Sequence, residues 1–136
     1  MNIFHYLIVD GYNIINNWPE FEMMRKGELA HAREHLVEIL GDYQGYSGVK
    51  VILVFDAHQV KGGGSIVAER GIKIIYSGYG ETADSVIEKL IYELPKGLRI
   101  AVATSDWLEQ QIVLGKGGIR ISANELRSNI LEAKEN

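Results

Sequence analysis

The 136-residue chain contains no cysteine. Disulfide frameworks and cysteine-ligated zinc or iron–sulfur sites are thereby excluded, and the absence fits a reducing cytoplasm. Proline is scarce: Pro19 and Pro95 stand alone, and no proline- or serine-rich linker divides the chain. No apolar run approaches the ~20 residues of a membrane span, and Met1–His5 lacks the basic start of a targeting segment. A basic excess is missing too. Against 18 Asp+Glu there are 14 Lys+Arg, a net charge of −4, which at first argues against a nucleic-acid partner, because phosphate binding usually rests on a cationic surplus. What is present is ordinary for a globular protein, 46% hydrophobic and 24% charged, so disordered, collagenous and coiled-coil classes fall away. The expectation is a single domain over residues 1–136, long enough to bury roughly two-thirds of its unfolded surface.

Five runs read as strands: Ile3–Val9, Val49–Phe55, Ile72–Tyr76, Arg99–Ala103 and Ile119–Ile121. Val51 to Phe55 is unbroken apolar, as in a strand buried on both faces of a parallel sheet. Helical spacing lies between the strands. Over Glu28–Tyr43, one face collects Leu29, Ala32, Leu36, Ile39, Leu40 and Tyr43. Over Thr82–Leu94, Ala83, Val86, Ile87, Leu90, Ile91 and Leu94 do the same. A shorter helix spans Ser105–Leu114, and a last one opens at Ser122, whose capping box with Glu125 satisfies two orphan amides. This alternation predicts an α/β three-layer, Rossmann-like sandwich with a mostly parallel central sheet. Ala57–Arg70, which holds Lys61-Gly-Gly-Gly64, reads as a loop, long enough for a role at a site's edge. Gly115-Lys116-Gly117-Gly118 reads as a tight turn.

The acids fall at informative places. Asp10 ends the first strand, Asp56 the second, and Asp106 follows the fourth; Asp84 lies in the first turn of the helix after the third. In a parallel sheet all strand C-termini share one edge, where open α/β folds bind ligands. Asp84 lies about 90° from the centre of its helix's apolar face, so it reaches that rim while the helix stays packed. Each acid alone could be a helix cap or a dipole partner. Four together repel unless a cation joins them, and a hard divalent ion, Mg²⁺ or Mn²⁺, suits carboxylate and water oxygens. Such a site can activate water and clamp a phosphodiester. Glu81 and Glu88 lie near the same helix start. Asn13 is either a ligand-binding amide beside Asp10 or a local turn former. Thr104 and Ser105 can donate to a carboxylate or a water, Ser105 being favoured as the helix N-cap.

Val9-Asp-Gly-Tyr-Asn-Ile14, Val54-Phe-Asp-Ala57, Tyr76-Ser-Gly-Tyr-Gly-Glu-Thr-Ala-Asp84 running on to Glu88, and Val102-Ala-Thr-Ser-Asp106 together resemble the YacP-like branch of NYN-domain proteins, which are PIN-like nucleases. The resemblance spans nearly the whole chain, with the four motifs in the family's order. It implies a PIN-like fold and a Mg²⁺- or Mn²⁺-dependent endoribonuclease acting on single-stranded RNA. Carried onto this chain, the metal positions are Asp10, Asp56, Asp84 and Asp106, with Asn13 beside them. Hydrolysis by metal-activated water would leave a 5′-phosphate and a 3′-hydroxyl. The resemblance further implies mRNA as substrate, in association with the translating ribosome. Asp10, Asn13 and Asp84 are the expected catalytic positions. Tyr79 is a base-stacking candidate, and Lys61, Arg70 and Lys116 are candidate phosphate contacts.

Rival readings fit less well. His31-Ala-Arg-Glu-His35 matches a zinc-peptidase pattern, but both histidines lie on a solvent flank of their helix without an evident third ligand. Gly78-Tyr-Gly80-Glu-Thr-Ala83 matches a dinucleotide fingerprint, yet Glu81 and Asp84 make that helix start negative where a pyrophosphate needs it positive. A receiver-like phosphoacceptor switch would place Asp10, Asp56 and Thr104 correctly but lacks the paired acids after the first strand and the lysine after the last. It would be distinguished by acid-labile phosphorylation of Asp56 without nuclease activity. A non-catalytic RNA- or ribosome-binding module is disfavoured by the intact acid set. Setting aside Asp10, Asp56, Glu81, Asp84 and Asp106 leaves 13 acids against 14 bases, so the negative charge describes a local cation site on a nearly neutral body and does not exclude RNA.

Overall fold

The computed structural model describes residues 4–24, 27–57 and 64–135. The chain runs through β1 (Tyr6–Asp10), α1 (Gly11–Asn17), a 3-10 turn (Pro19–Phe21), α2 (Leu29–Ser47), β2 (Lys50–Phe55), β3 (Ser65–Glu69), β4 (Ile72–Tyr76), α3 (Ala83–Glu93), β5 (Ile100–Ala103), α4 (Trp107–Gly115), β6 (Ile119–Ile121) and α5 (Ala123–Glu135). The six strands form one sheet in the order β3-β4-β2-β1-β5-β6. All neighbours are parallel except the edge strand β3, which is antiparallel to β4. Among the described residues no helix is long and apolar enough to cross a membrane.

Side chains alternate across a strand, and here the alternation divides the core into two layers. Leu7, Val9, Leu53, Phe55, Ile74, Ala101 and Ala103 pack under α1, α2 and α5. Ile8, Ile52, Val54, Ile75 and Val102 pack under α3 and α4, against Val86, Ile87 and Val113. The connection after β1 therefore leaves to one face and the connection after β5 to the other, although the two strands are neighbours. Their C-terminal ends form the topological switch point, where a crevice opens in sheets of this type.

Local chemistry ends the elements where these layers require. α2 stops at Gly48, whose φ of 76° takes the left-handed turn. Thr82 caps α3 by accepting from the Ser85 amide at 3.1 Å. The Ser122–Glu125 capping box forms reciprocally, both bonds at 3.1 Å.

The structure corrects the sequence reading in two places. Part of the stretch read as loop, Ser65–Glu69, is strand β3, joined to β4 by a two-residue turn in which Arg70 and Gly71 both have positive φ, 51° and 85°. All five β3 residues are exposed, so no inward–outward alternation marked it. Residues 11–21, not assigned to an element from sequence, form α1 and the 3-10 turn. Trp18 is buried there, and its indole N–H donates to the Ala123 carbonyl at 2.7 Å, fixing α1 to α5.

Gly11 begins α1 pressed against β2. A Cβ there would overlap the Phe55 ring and approach the Val54 carbonyl oxygen to 3.0 Å. Gly11→Ala is therefore expected to destabilise the fold by about 1–3 kcal/mol through overpacking. Thermal denaturation checks this, and an unchanged midpoint would refute the packing argument.

Candidate active site

Asp10 carries on the alternation of Ile8, and Asp56 that of Val54, so both side chains lie on the α3/α4 side of the sheet's carboxyl edge. Asp84, in the first turn of α3, and Asp106, the N-cap of α4, face the same crevice from the helical layer. Four separate segments thus deliver carboxylates to one rim, and these groups sense one another. Burial pushes Asp10 up to about 6; the Thr104 hydrogen bond pulls it down, and the charges of Asp84 and Asp106 raise it further. Asp84 is raised by burial and then by Asp106, Glu88 and Asp56.

Thr104 organises the centre of the rim. Fully buried, it donates its hydroxyl to Asp10 Oδ2 at 3.0 Å and accepts from the Asp106 amide at 3.1 Å. Its carbonyl accepts from Gln110 Nε2 at 2.7 Å, and its amide donates to the Ile121 carbonyl. Asn13 lies across the crevice in α1, where its Oδ1 accepts from the Ser105 amide at 2.8 Å and so links the β1 end to the β5 end. The Ser105 hydroxyl accepts from Ala123 N at 3.0 Å. It is not the cap of α4, in contrast to the sequence expectation: Asp106 Oδ1 fills that role, accepting from Leu108 N and Glu109 N at 3.0 and 3.2 Å. The carboxylate outcompetes the hydroxyl because it lies one residue nearer the first turn and brings charge to the positive end of the helix.

One acid escaped the sequence reading. Glu109 is completely buried, and neither carboxyl oxygen finds a hydrogen-bond donor among the described residues. Burial, followed by the charges of Asp84, Glu88 and Asp10, pushes it up to about 8. The group within hydrogen-bonding reach is Asp84, another acid, so a bond between them forms only while one holds a proton. The signal was available: Glu109 sits one turn before the buried Val113, on the inward stripe of α4.

The other predicted residues spread more widely. Glu81 Oε1 accepts from the Gly78 amide at 3.0 Å and closes the turn before α3. Glu88 is half-buried and lies close enough to raise Asp84 and Glu109. Tyr79 is exposed in the loop leading to α3, and Trp107 is exposed at the start of α4, 67% and 66% accessible. Arg70 and Lys116 precede β4 and β6 respectively, so both stand at the opposite, amino edge of the sheet, away from the acids. Lys61 lies outside the described residues. Among the described residues, a cation that does reach the carboxyl edge is Arg33, from the His31–His35 stretch. Its Nη1 donates to the Tyr12 hydroxyl at 3.1 Å, and its charge opposes the rise that burial imposes on the Tyr76 phenol.

Among the described residues no three acids or histidines close on a common point as a preformed cage would. Like charges without a counter-ion stand apart. The all-oxygen donor set nevertheless fits Mg²⁺ or Mn²⁺, which keep several waters and need only one or two protein carboxylates besides substrate phosphate oxygens. Asp10, Asp84, Asp56 and Asp106 are the groups that could hold such an ion.

A parallel sheet with carboxylates at its switch point, covered on both faces and closed by an antiparallel edge strand, is the PIN-like nuclease fold. The chain belongs to the YacP-like NYN domain family, whose model matches residues 7–136. The uncharacterized protein YacP of Bacillus subtilis (strain 168) is 42% identical over 121 residues, covering 88% of this chain and 71% of that protein. Two crystal structures of Rae1 (YacP) from Bacillus subtilis superpose with TM-scores of 0.83 (a mutant form) and 0.81, at 36% and 38% identity. They cover 96% and 99% of this chain, and 76% of each crystallised chain is matched.

The buried acid yields a pH dependence. Glu109 rises from an ordinary 4.5 to about 8 on folding, so between those values the native state binds more protons than the unfolded chain, and stability must fall as pH rises. Asp10 adds the same sign between 3.8 and about 6. In chelator, the melting temperature should decline from about pH 4.5 towards pH 8. Glu109→Gln should flatten that decline and gain most on the parent protein at the alkaline end. Parallel curves for the two proteins would contradict the assignment.

Proposed function

We propose that this chain is a divalent-metal-dependent endoribonuclease that cuts single-stranded RNA, with mRNA on the translating ribosome, in the cytoplasm, as its substrate. The observation that supports it most is the convergence of Asp10, Asp56, Asp84 and Asp106 at the switch point, where burial first, and neighbouring acids second, raise Asp10 and Asp84 above the usual carboxylate range. Membership of a nuclease family supports the same reading. The translational part rests on the resemblance alone.

In this reading Asp10 and Asp84 are the essential ligands of a Mg²⁺ or Mn²⁺ ion, with Asp56 and Asp106 completing the set. When bound, the ion supplies electrostatic stabilisation of the phosphoryl oxygens and acidifies water. The chain's own residues do the positioning. Thr104 holds the Asp10 carboxylate and, through the Asp106 amide, sets the start of α4. Asn13 keeps α1 and the β5 end in register through Ser105. Glu109, protonated, reserves a hydrogen bond for Asp84 and limits the negative charge that the crevice must hold. Tyr79 and Trp107 offer exposed rings on which unpaired bases can stack, which favours single strands over duplexes.

Asp10→Asn and Asp84→Asn should each lower Mg²⁺-dependent RNA cleavage by about 100-fold or more, equivalent to roughly 3 kcal/mol of barrier, while circular dichroism shows an unchanged fold. Cleavage at the parental rate by both variants would refute the metal-site reading. A parent protein that binds RNA but never cuts it would favour a non-catalytic binding module. Comparing a translated with an untranslated mRNA, each with and without EDTA, tests the remainder: chelator-sensitive cleavage of the translated message alone is expected.

A further inference from the structure

A cleft of about 400 Å³ opens beside the acid rim, over the ends of β2 and β4. Its lining includes Tyr12, Arg33, Asp56, Tyr76 and Ser77. Asp56 belongs to both places: it follows β2 at the acid rim and borders the cleft. The walls are aromatic. Tyr12 packs on Phe55 with ring centroids 4.9 Å apart, and Phe55 stacks on Tyr76 at 5.5 Å. Arg33 reaches in from the first turns of α2 and donates to the Tyr12 hydroxyl.

Arg33 is unusual in its company. A guanidinium offers five N–H donors and always carries charge. Among the described residues it meets phenols and no pairing carboxylate, whereas Arg127 is bonded to Glu20 at 2.8 Å. A half-buried cation that keeps most of its donors, at the mouth of a cleft next to a set of acids, is matched by an anion supplied from outside. Adjacent strands lie roughly 4.8 Å apart, so a single strand crossing the rim from β1 towards β4 enters this cleft about one nucleotide after the acids.

We propose that the Tyr12–Arg33–Tyr76 cleft is a nucleotide subsite, in which Arg33 pairs with the RNA phosphate neighbouring the one that is cut and the tyrosine rings flank the attached nucleoside. This rests on the ribonuclease reading and adds the path of the substrate to it. It also resolves a difficulty of charge, since Arg70 and Lys116 are at the far edge of the sheet. The path of the strand follows the asymmetry of the rim: Asp10 and Asp106 follow β1 and β5, Asp56 after β2 borders both places, and Arg33 lies on the far side of Asp56.

The test separates the subsite from the chemistry. Binding of a short fluorescein-labelled single-stranded oligoribonucleotide is followed by anisotropy in chelator, where no cutting occurs, over a series of salt concentrations. Arg33→Gln should weaken binding and flatten the slope of log K against log salt by about 0.7, the value for one phosphate contact on a single strand. Arg33→Lys should keep the slope. Tyr12→Phe, which removes the hydrogen bond to Arg33 but leaves the cation, should keep it as well. In Mg²⁺, Arg33→Gln should raise KM with kcat little changed. A slope that Arg33→Gln leaves unaltered overturns the subsite, whether or not the parent protein cleaves RNA. A slope that Tyr12→Phe flattens equally also overturns it, because Arg33 would then act only as scaffold. Binding that depends on Arg33 in a protein that never cuts would support the subsite and refute the nuclease reading instead.

Discussion

The hydroxyl of Thr104 stands between two acids, donating a hydrogen bond to Asp10 and accepting one from the amide of Asp106. This small group decides how negative charge can be held at the carboxyl edge of the sheet. Five carboxylates lean towards one crevice, and their repulsion would spread the strand ends if nothing fixed them. Thr104 is fixed from every side: by its buried position on β5's extension, by Gln110, and by a backbone bond to β6. Asp10 and Asp106 are therefore placed by the sheet's hydrogen-bonding frame.

Burial and repulsion act together on this frame. Asp10 and Glu109 are both raised, first by burial and then by their neighbours. Such strain is expected where a site is shaped for a species that carries positive charge. A divalent ion held by these carboxylates would offset that repulsion. The same logic explains the overall acidity of the chain, whose excess charge is concentrated at one place on a nearly balanced surface.

The two sides of the rim differ in character. At the ends of β1 and β5 stand Asp10 and Asp106 with polar supports, and beyond Asp56 the cleft is lined by Tyr12, Tyr76 and Arg33. A polyanion meets attraction on one side and, until a cation is bound, repulsion on the other. In the proposed reading, association with RNA and association with a divalent ion would be coupled electrostatically through Asp56, which borders both sides.

The amino-acid pattern alone determined the layered α/β class, the five parallel strands, the main helices and the arrival of Asp10, Asp56, Asp84 and Asp106 at one edge. Periodicity and strand ends are local properties, and in a parallel sheet they dictate which residues share a rim. It did not reveal β3, whose exposed residues carry no alternation, nor α1, which is short and held by Phe55 and α5. Tertiary structure decided most of the rest of the site, although the place of Glu109 on the inward stripe of α4 was legible. Glu109 and Arg33 came to the rim because α4 and α2 pack in particular rotations against opposite faces, and Arg70 and Lys116 were taken from it because their turns lie at the other end of the strands. Sequence spacing records which side of an element a residue occupies; only packing decides what that side meets.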